Sequence, residues 1–119
     1  MNDFVKYMTI AALIAAMDIP WLMVSNTFVS SMVRKIQGKD IDLKAGPAVV
    51  VYFALAYLAL LPKTPMEAFL LGLCVYAVYD FTNLATLANY DWRFAVADSL
   101  WGGILFVVVH SVLTYMKGL

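Results

Sequence analysis

Three aspartates stand where a charge is expensive. Asp18, Asp80 and Asp98 each lie within, or near the end of, a long apolar run. A charged side chain at the middle of a membrane helix costs about 2.5–3.5 kcal/mol on insertion scales. No lysine or arginine lies deep in any of these runs to pair with them. Donors stand close by instead. Trp21 follows Asp18 by three residues, Trp101 follows Asp98 by three, and Asp80 sits in YDFTNLATL (79–87) with Tyr79, Thr82, Asn83 and Thr86. Carboxylates only accept, whereas indole, phenol, amide and hydroxyl groups donate. Such a set supports three chemistries: a hydrogen-bond network that holds helices in register, a proton or ion pathway through carboxylates that reach water, or general acid–base catalysis in a membrane enzyme. A membrane hydrogen bond contributes only about 0.6 kcal/mol on average, yet an unpaired buried carboxylate costs far more. The network is therefore the preferred role.

Other site chemistries find less support. Three aspartates could hold a hard cation through oxygen ligands, but nothing in their spacing demands one. His110 is the single histidine, and it lies about 18 Å along a helix from Asp98 and about 120° around it. With no second histidine or cysteine partner there is no zinc spacing. No Ser-His-Asp arrangement and no glycine-rich phosphate loop is present. No catalytic residue, metal or cofactor is assigned. Tyr7, Trp21, Tyr90, Trp92 and Tyr115 fall near the ends of the apolar runs, as an interfacial aromatic belt would.

The elements that must position these groups follow from composition. The chain has 119 residues, one domain over 1–119, of which 64% are hydrophobic and 13% charged. Soluble domains hold about 45–50% apolar and about 25% charged residues, and a chain this short cannot hide the excess from water. The expected solvent is a lipid bilayer. Eight basic and eight acidic residues cancel, so no nucleic-acid partner is expected. Cys74 stands alone, which rules out an intramolecular disulfide. The first apolar stretch continues past Trp21 to Val24, longer than the core of a signal peptide, and reads as a retained span.

The pattern predicts an all-α, four-span transmembrane helix bundle with a short amphipathic helix after the first span. The spans run near Phe4–Val24, Pro47–Leu61, Met66–Leu87 and Phe94–Met116, against the roughly 20 apolar residues a bilayer needs. Pro47 and Pro65 stand where helices can begin, and NYDW (89–92) makes a tight polar turn. In residues 26–36, Phe28, Met32, Val33 and Ile36 recur at helical spacing with Arg34 and Lys35 elsewhere on the turn. This segment either lies on the membrane surface or continues span one beyond the lipid, and Gly38 ends it in both cases. Residues 25–46, with Arg34 and Lys35, are the surface offered to the membrane or to a protein partner. Arg34, Lys35, Lys39, Lys44 and Arg93 face one side and Lys6, Lys63 and Lys117 the other, which places the first connection in the cytoplasm by the positive-inside rule.

Four spans put all three aspartates in the same leaflet, the one facing the first and third connections. Helical angles agree. Tyr76, Tyr79, Asp80, Asn83, Thr86 and Leu87 fall within about a third of the circumference. Asp98, Trp101, Gly102 and Leu105 share a face, and so do Asp18, Trp21 and Leu22. Gly102 and Gly103 allow a close helix approach. Pro20 removes a backbone donor, leaving carbonyls that could accept from Trp21, Asn83 or Trp101.

The order D..WL (Asp18, Trp21, Leu22), YD.TN.AT (Tyr79 to Thr86) and D..WG (Asp98, Trp101, Gly102) resembles a family of small four-span predicted membrane proteins with a domain of unknown function. The resemblance covers nearly the whole chain. It departs after the third span, where NYDW replaces the Trp-Pro pair of many members. It implies a four-helix membrane fold, with relatives in bacteria and in large DNA viruses of algae, and no established reaction. The expected function is a structural or assembly component of a bacterial inner membrane, or of a viral or host internal membrane or virion. The alternatives are an oligomeric proton- or ion-coupled carrier using the aspartates, for which a homo-oligomer would be needed, and a lipid-modifying membrane enzyme.

Overall fold

The computed structural model describes residues 2–117. They form four helices: α1 (Asp3–Gln37), α2 (Ala45–Ala59), α3 (Pro65–Thr86) and α4 (Trp92–Lys117). Among the described residues there is no strand. The helix starts follow local chemistry. Asn2 caps α1 by accepting from the Val5 amide at 2.8 Å, with Asp3 favourably placed in the first turn. Thr64 accepts from the Glu67 amide at 3.1 Å while Glu67 reaches back to the Lys63 amide at 2.8 Å, a reciprocal exchange of the capping-box kind. Asp91 starts α4 by accepting from the Arg93 amide at 2.8 Å. Gly38 ends α1 at φ +78°, a conformation without penalty only for a residue lacking Cβ.

Residues 26–36 are helical and continuous with the first span, so the second of the two expected arrangements holds. Pro20 lies inside α1 without ending it. At 1.5 Å per residue the 35-residue helix is about 52 Å long, well beyond the roughly 30 Å of a bilayer core. Its last three turns project past the apolar stretch, and residues 38–44 carry the chain back to the start of α2. The 15 residues of α2 span only about 22 Å. Three helices, α1, α3 and α4, are long and apolar enough to cross a membrane; α2 is apolar but shorter.

The four helices enclose a narrow core. Ile10, Ile14, Ala56, Ala68, Leu105, Phe106 and Val109 are fully buried or nearly so. α3 and α4 form the tightest pair. A Cβ added at Gly72 would collide with the Gly102 carbonyl and lie 2.7 Å from Phe106 Cβ, and one at Gly102 would lie 2.7 Å from the Gly72 carbonyl. The two backbones therefore touch, the arrangement small residues permit between membrane helices. Outside, Met23, Val24, Val50, Val78 and Ile104 are exposed. A water-soluble monomer rarely displays so much contiguous apolar surface, and lipid tails solvate it without penalty.

Candidate functional site

The two Asp-x-x-Trp segments pair with each other. Trp101 Nε1 donates to Asp18 Oδ1 at 2.8 Å, and Trp21 Nε1 donates to Asp98 Oδ1 at 2.8 Å. The exchange is reciprocal between α1 and α4, and it needs the i, i+3 spacing that puts acid and indole one turn apart on the same helix face. The two indoles stack with centroids 6.0 Å apart and planes 17° from parallel. Trp21 also stacks on Phe94 at 6.3 Å, and Phe94 on Phe28 at 6.2 Å. Each such pair adds about 0.5–1.5 kcal/mol beyond its area.

Tyrosines supply further donors. Tyr52 of α2 donates to Asp18 Oδ2 at 2.9 Å, and Tyr76 of α3 lies near the same carboxylate. Tyr90, in the turn before α4, donates to Asp80 Oδ1 at 2.7 Å. Burial first, and the Asp80 carboxyl second, push the Tyr90 phenol above its ordinary range, so it remains a donor. Asp18 and Asp98 are buried at 7% exposure and Asp80 at 0%. Every helix contributes a member. The depth match has a simple origin: Asp80 and Asp98 each lie six residues from the helix ends that flank the turn at 87–91.

The other expected residues divide. Asn83 is half-buried beside Tyr79 and Tyr90, while Tyr79 itself is 63% exposed. Thr82 and Thr86 stay outside the network. Both are exposed, and the Thr86 hydroxyl is satisfied by the Thr82 carbonyl at 2.8 Å. Thr82 is two residues from Asp80, about 200° away around the helix. The carbonyls near Pro20 do not receive the indoles, which go to the carboxyl oxygens of Asp98 and Asp18. Trp21 and Tyr90 belong to the buried network rather than to an interfacial belt, whereas Trp92 and Tyr115 are exposed. Tyr7 donates to the Phe53 carbonyl.

Tyr52 was not singled out in the sequence, and Tyr90 was expected in the interfacial belt rather than in the network. A signal for Tyr52 existed: its phenol lies early in the second apolar run, near the first connection, as Asp18 does at the end of the first run. Tyr90 is only ten residues from Asp80, but a sharp turn separates them, and periodicity does not extend across a turn.

The projecting end of α1 closes the network from above. Met32 is buried and its sulfur accepts from the Asp91 amide at 3.3 Å. Asn89, at φ +66°, donates to the Lys35 carbonyl at 3.3 Å; asparagine tolerates this left-handed conformation better than most residues. Arg34 and Lys35 are exposed, and Arg34 pairs with Asp40 at 3.1 Å. Asp91 receives Arg93 through both oxygens, at 3.1 and 2.8 Å. The Arg93 hydrogen bonds lower the Asp91 carboxyl from its ordinary 3.8 to about 2. A carboxyl with a lower pKa in the folded state stabilises the turn fully above about pH 4, and that contribution disappears as pH falls through about 2. We expect a carbon-detected titration of the Asp91 carboxyl to give a midpoint near 2, moving toward the ordinary value in Arg93→Gln; an unmoved midpoint would show the pair to be loose in solution.

Among the described residues, no group of three or more histidine, cysteine, aspartate or glutamate side chains could hold a metal ion. Two surface clefts, one lined by Leu84, Asn89, Tyr90, Asp91, Trp92 and Arg93 and the other by Ile19, Leu22, Met23 and Asn26, include none of the three network aspartates. Chemically, then, the arrangement is a set of carboxyl acceptors enclosed by indole and phenol donors from the same chain.

No curated protein and no solved structure matches the chain in sequence or structure comparison. A family model does match, over residues 4–116, a range that covers all four helices but for Asp3 and Lys117 and contains the whole aspartate network. The chain belongs to the family described as predicted membrane protein (DUF2177).

Proposed function

We propose that the protein is a multi-pass integral membrane component with a structural or assembly role, all four helices crossing the bilayer and both ends of the chain on one side. One observation carries this reading: the Asp18 carboxylate and Asp98 Oδ1 are bound by Trp101, Tyr52 and Trp21 of the same chain. Groups committed to such bonds hold helices in register and are not free to take up a substrate. The short α2 is accommodated by local thinning of the bilayer. The basic residues of the first connection lie on the cytoplasmic side, in a bacterial inner membrane or a viral or host internal one. Residues 25–46 offer Arg34 and Lys35 to lipid phosphates or an acidic partner, at about 1 kcal/mol per basic residue near an anionic surface.

A second reading has one observation in its favour. Asp80 Oδ2 is buried without a hydrogen-bond donor, as a carboxyl that handles protons could be. On that reading the protein is a proton-coupled carrier working as an oligomer. Reconstitution into liposomes separates the two. The structural reading expects no proton or cation flux above protein-free vesicles, with Asp80→Asn folding and assembling as the wild type does and Asp80→Leu failing to. Flux in the wild type that a folded Asp80→Asn protein loses would establish the carrier instead.

A further inference from the structure

We propose that Asp80 and Asp98 form a proton-binding site, a buried carboxyl pair that shares a single hydrogen at neutral pH, with Tyr90 as its connection to the surface. The proposal stands whether or not the structural role above is correct. Asp80 is fully buried, its Oδ1 accepts from Tyr90, and its Oδ2 is enclosed with no donor. The Asp98 carboxyl of α4 is the acid beside Asp80, and its own Oδ1 is already taken by the Trp21 indole.

Two ionised carboxylates are acceptors only. Facing each other out of water they repel, and neither can satisfy the other. One hydrogen reverses the situation. A protonated carboxyl donates to its neighbour, the stranded Oδ2 acquires a partner, and the site carries one negative charge instead of two. None of the titratable groups facing the pair is a cation. Tyr76 and Tyr79 come from α3 and Tyr90 from the turn, and Asp18 of α1 adds a further negative charge beside Asp98. Neither recorded salt bridge, Arg34 with Asp40 or Arg93 with Asp91, involves the pair. A cation in place of the proton would need more ligands than two carboxyls, and no third acidic, histidine or cysteine side chain completes such a set among the described residues.

The access route is also visible. Tyr90 lines the open cleft between Leu84 and Arg93, and its hydroxyl bonds Asp80. A phenol both donates and accepts, so it can pass a hydrogen from the cleft to the carboxyl. The indole on Asp98 only donates and cannot relay one.

Infrared spectroscopy of the full chain in lipid tests this directly. The wild type at neutral pH should show the carbonyl stretch of one protonated carboxylic acid, shifting on transfer to heavy water. Asp80→Asn should abolish it, because an asparagine amide can donate to Asp98 without an added proton, and Asp98→Asn should abolish it in the same way. Tyr90→Phe should keep the band and slow its deuterium shift by tenfold or more. Melting curves of each variant establish that it is folded. Absence of the band in the wild type overturns the proposal, as does its persistence in both folded asparagine variants. A Tyr90→Phe band that shifts at the wild-type rate overturns the assigned route.

Discussion

Gly72→Ala will destabilise the protein severely, although alanine is the better helix former by about 1 kcal/mol. The added methyl would strike the Gly102 carbonyl and sit 2.7 Å from Phe106 Cβ. Both obstacles are close to or part of the α4 backbone, so no rotamer change relieves them and the helices must separate. Overpacking a core costs about 1–3 kcal/mol, and here the loss extends further, because α3 carries Asp80 and α4 carries Asp98. Gly103→Ala is a milder case: its Cβ would meet mainly the Phe69 ring, at 2.7 Å, and a ring can shift. Gly46→Ala meets nothing within 4 Å and should melt at or slightly above the wild-type temperature. Thermal melts in one detergent should rank Gly72→Ala lowest, then Gly103→Ala, then the wild type with Gly46→Ala. A Gly72→Ala protein that melts with the wild type would show that α3 and α4 do not meet backbone to backbone.

Asp18→Leu will cost more than any other single change in the polar network. Leucine branches at Cγ as aspartate does, is larger, and suits a membrane interior, so a hydropathy argument favours it. Yet it leaves the Trp101 indole and the Tyr52 phenol without acceptors. A buried polar group stripped of its partner costs about 1–3 kcal/mol, and two are stripped at once, on two different helices. Asp18→Asn retains one carbonyl oxygen and should lose only part of this. The pairing is testable by a double-mutant cycle: Trp101→Phe removes one of the stranded donors, so Asp18→Leu should cost less in the Trp101→Phe background than in the wild type. Additive effects would show that residues 18 and 101 are not bonded. Tryptophan fluorescence supplies an independent readout, since the Trp101 indole, stacked on Trp21, becomes free to reorient when its acceptor goes.

Much of this was legible before any coordinates. An apolar fraction of 64% in 119 residues determines the solvent, because a small chain has too much surface for too little polar material to cover it. The four apolar runs give four helices, since hydrocarbon admits only backbones that satisfy their own hydrogen bonds. Counting residues from the turns put Asp18, Asp80 and Asp98 at similar depth, because helical rise is constant. Gly38 and Pro65 mark helix ends by chemistry within four residues of themselves.

What only the tertiary structure decided is which donor meets which acceptor. Periodicity says that Asp18 and Trp21 share a face, and likewise Asp98 and Trp101. It does not say that the two faces meet, still less in the register that crosses acid with indole in both directions. That register depends on the rotation and depth of helices nearly eighty residues apart, and backbone contact at Gly72 and Gly102 fixes part of it. The continuation of α1 past Val24 is of the same kind. Its propensity for helix is local, but Met32 and the Lys35 carbonyl are held by Asp91 and Asn89, in a turn more than fifty residues away. Thr82 shows the converse: its type suited the network, and one backbone angle of about 200° from Asp80 kept it out. Residue type and spacing determine what a face can bond to, while the partner it finds depends on how the other helices are packed against it.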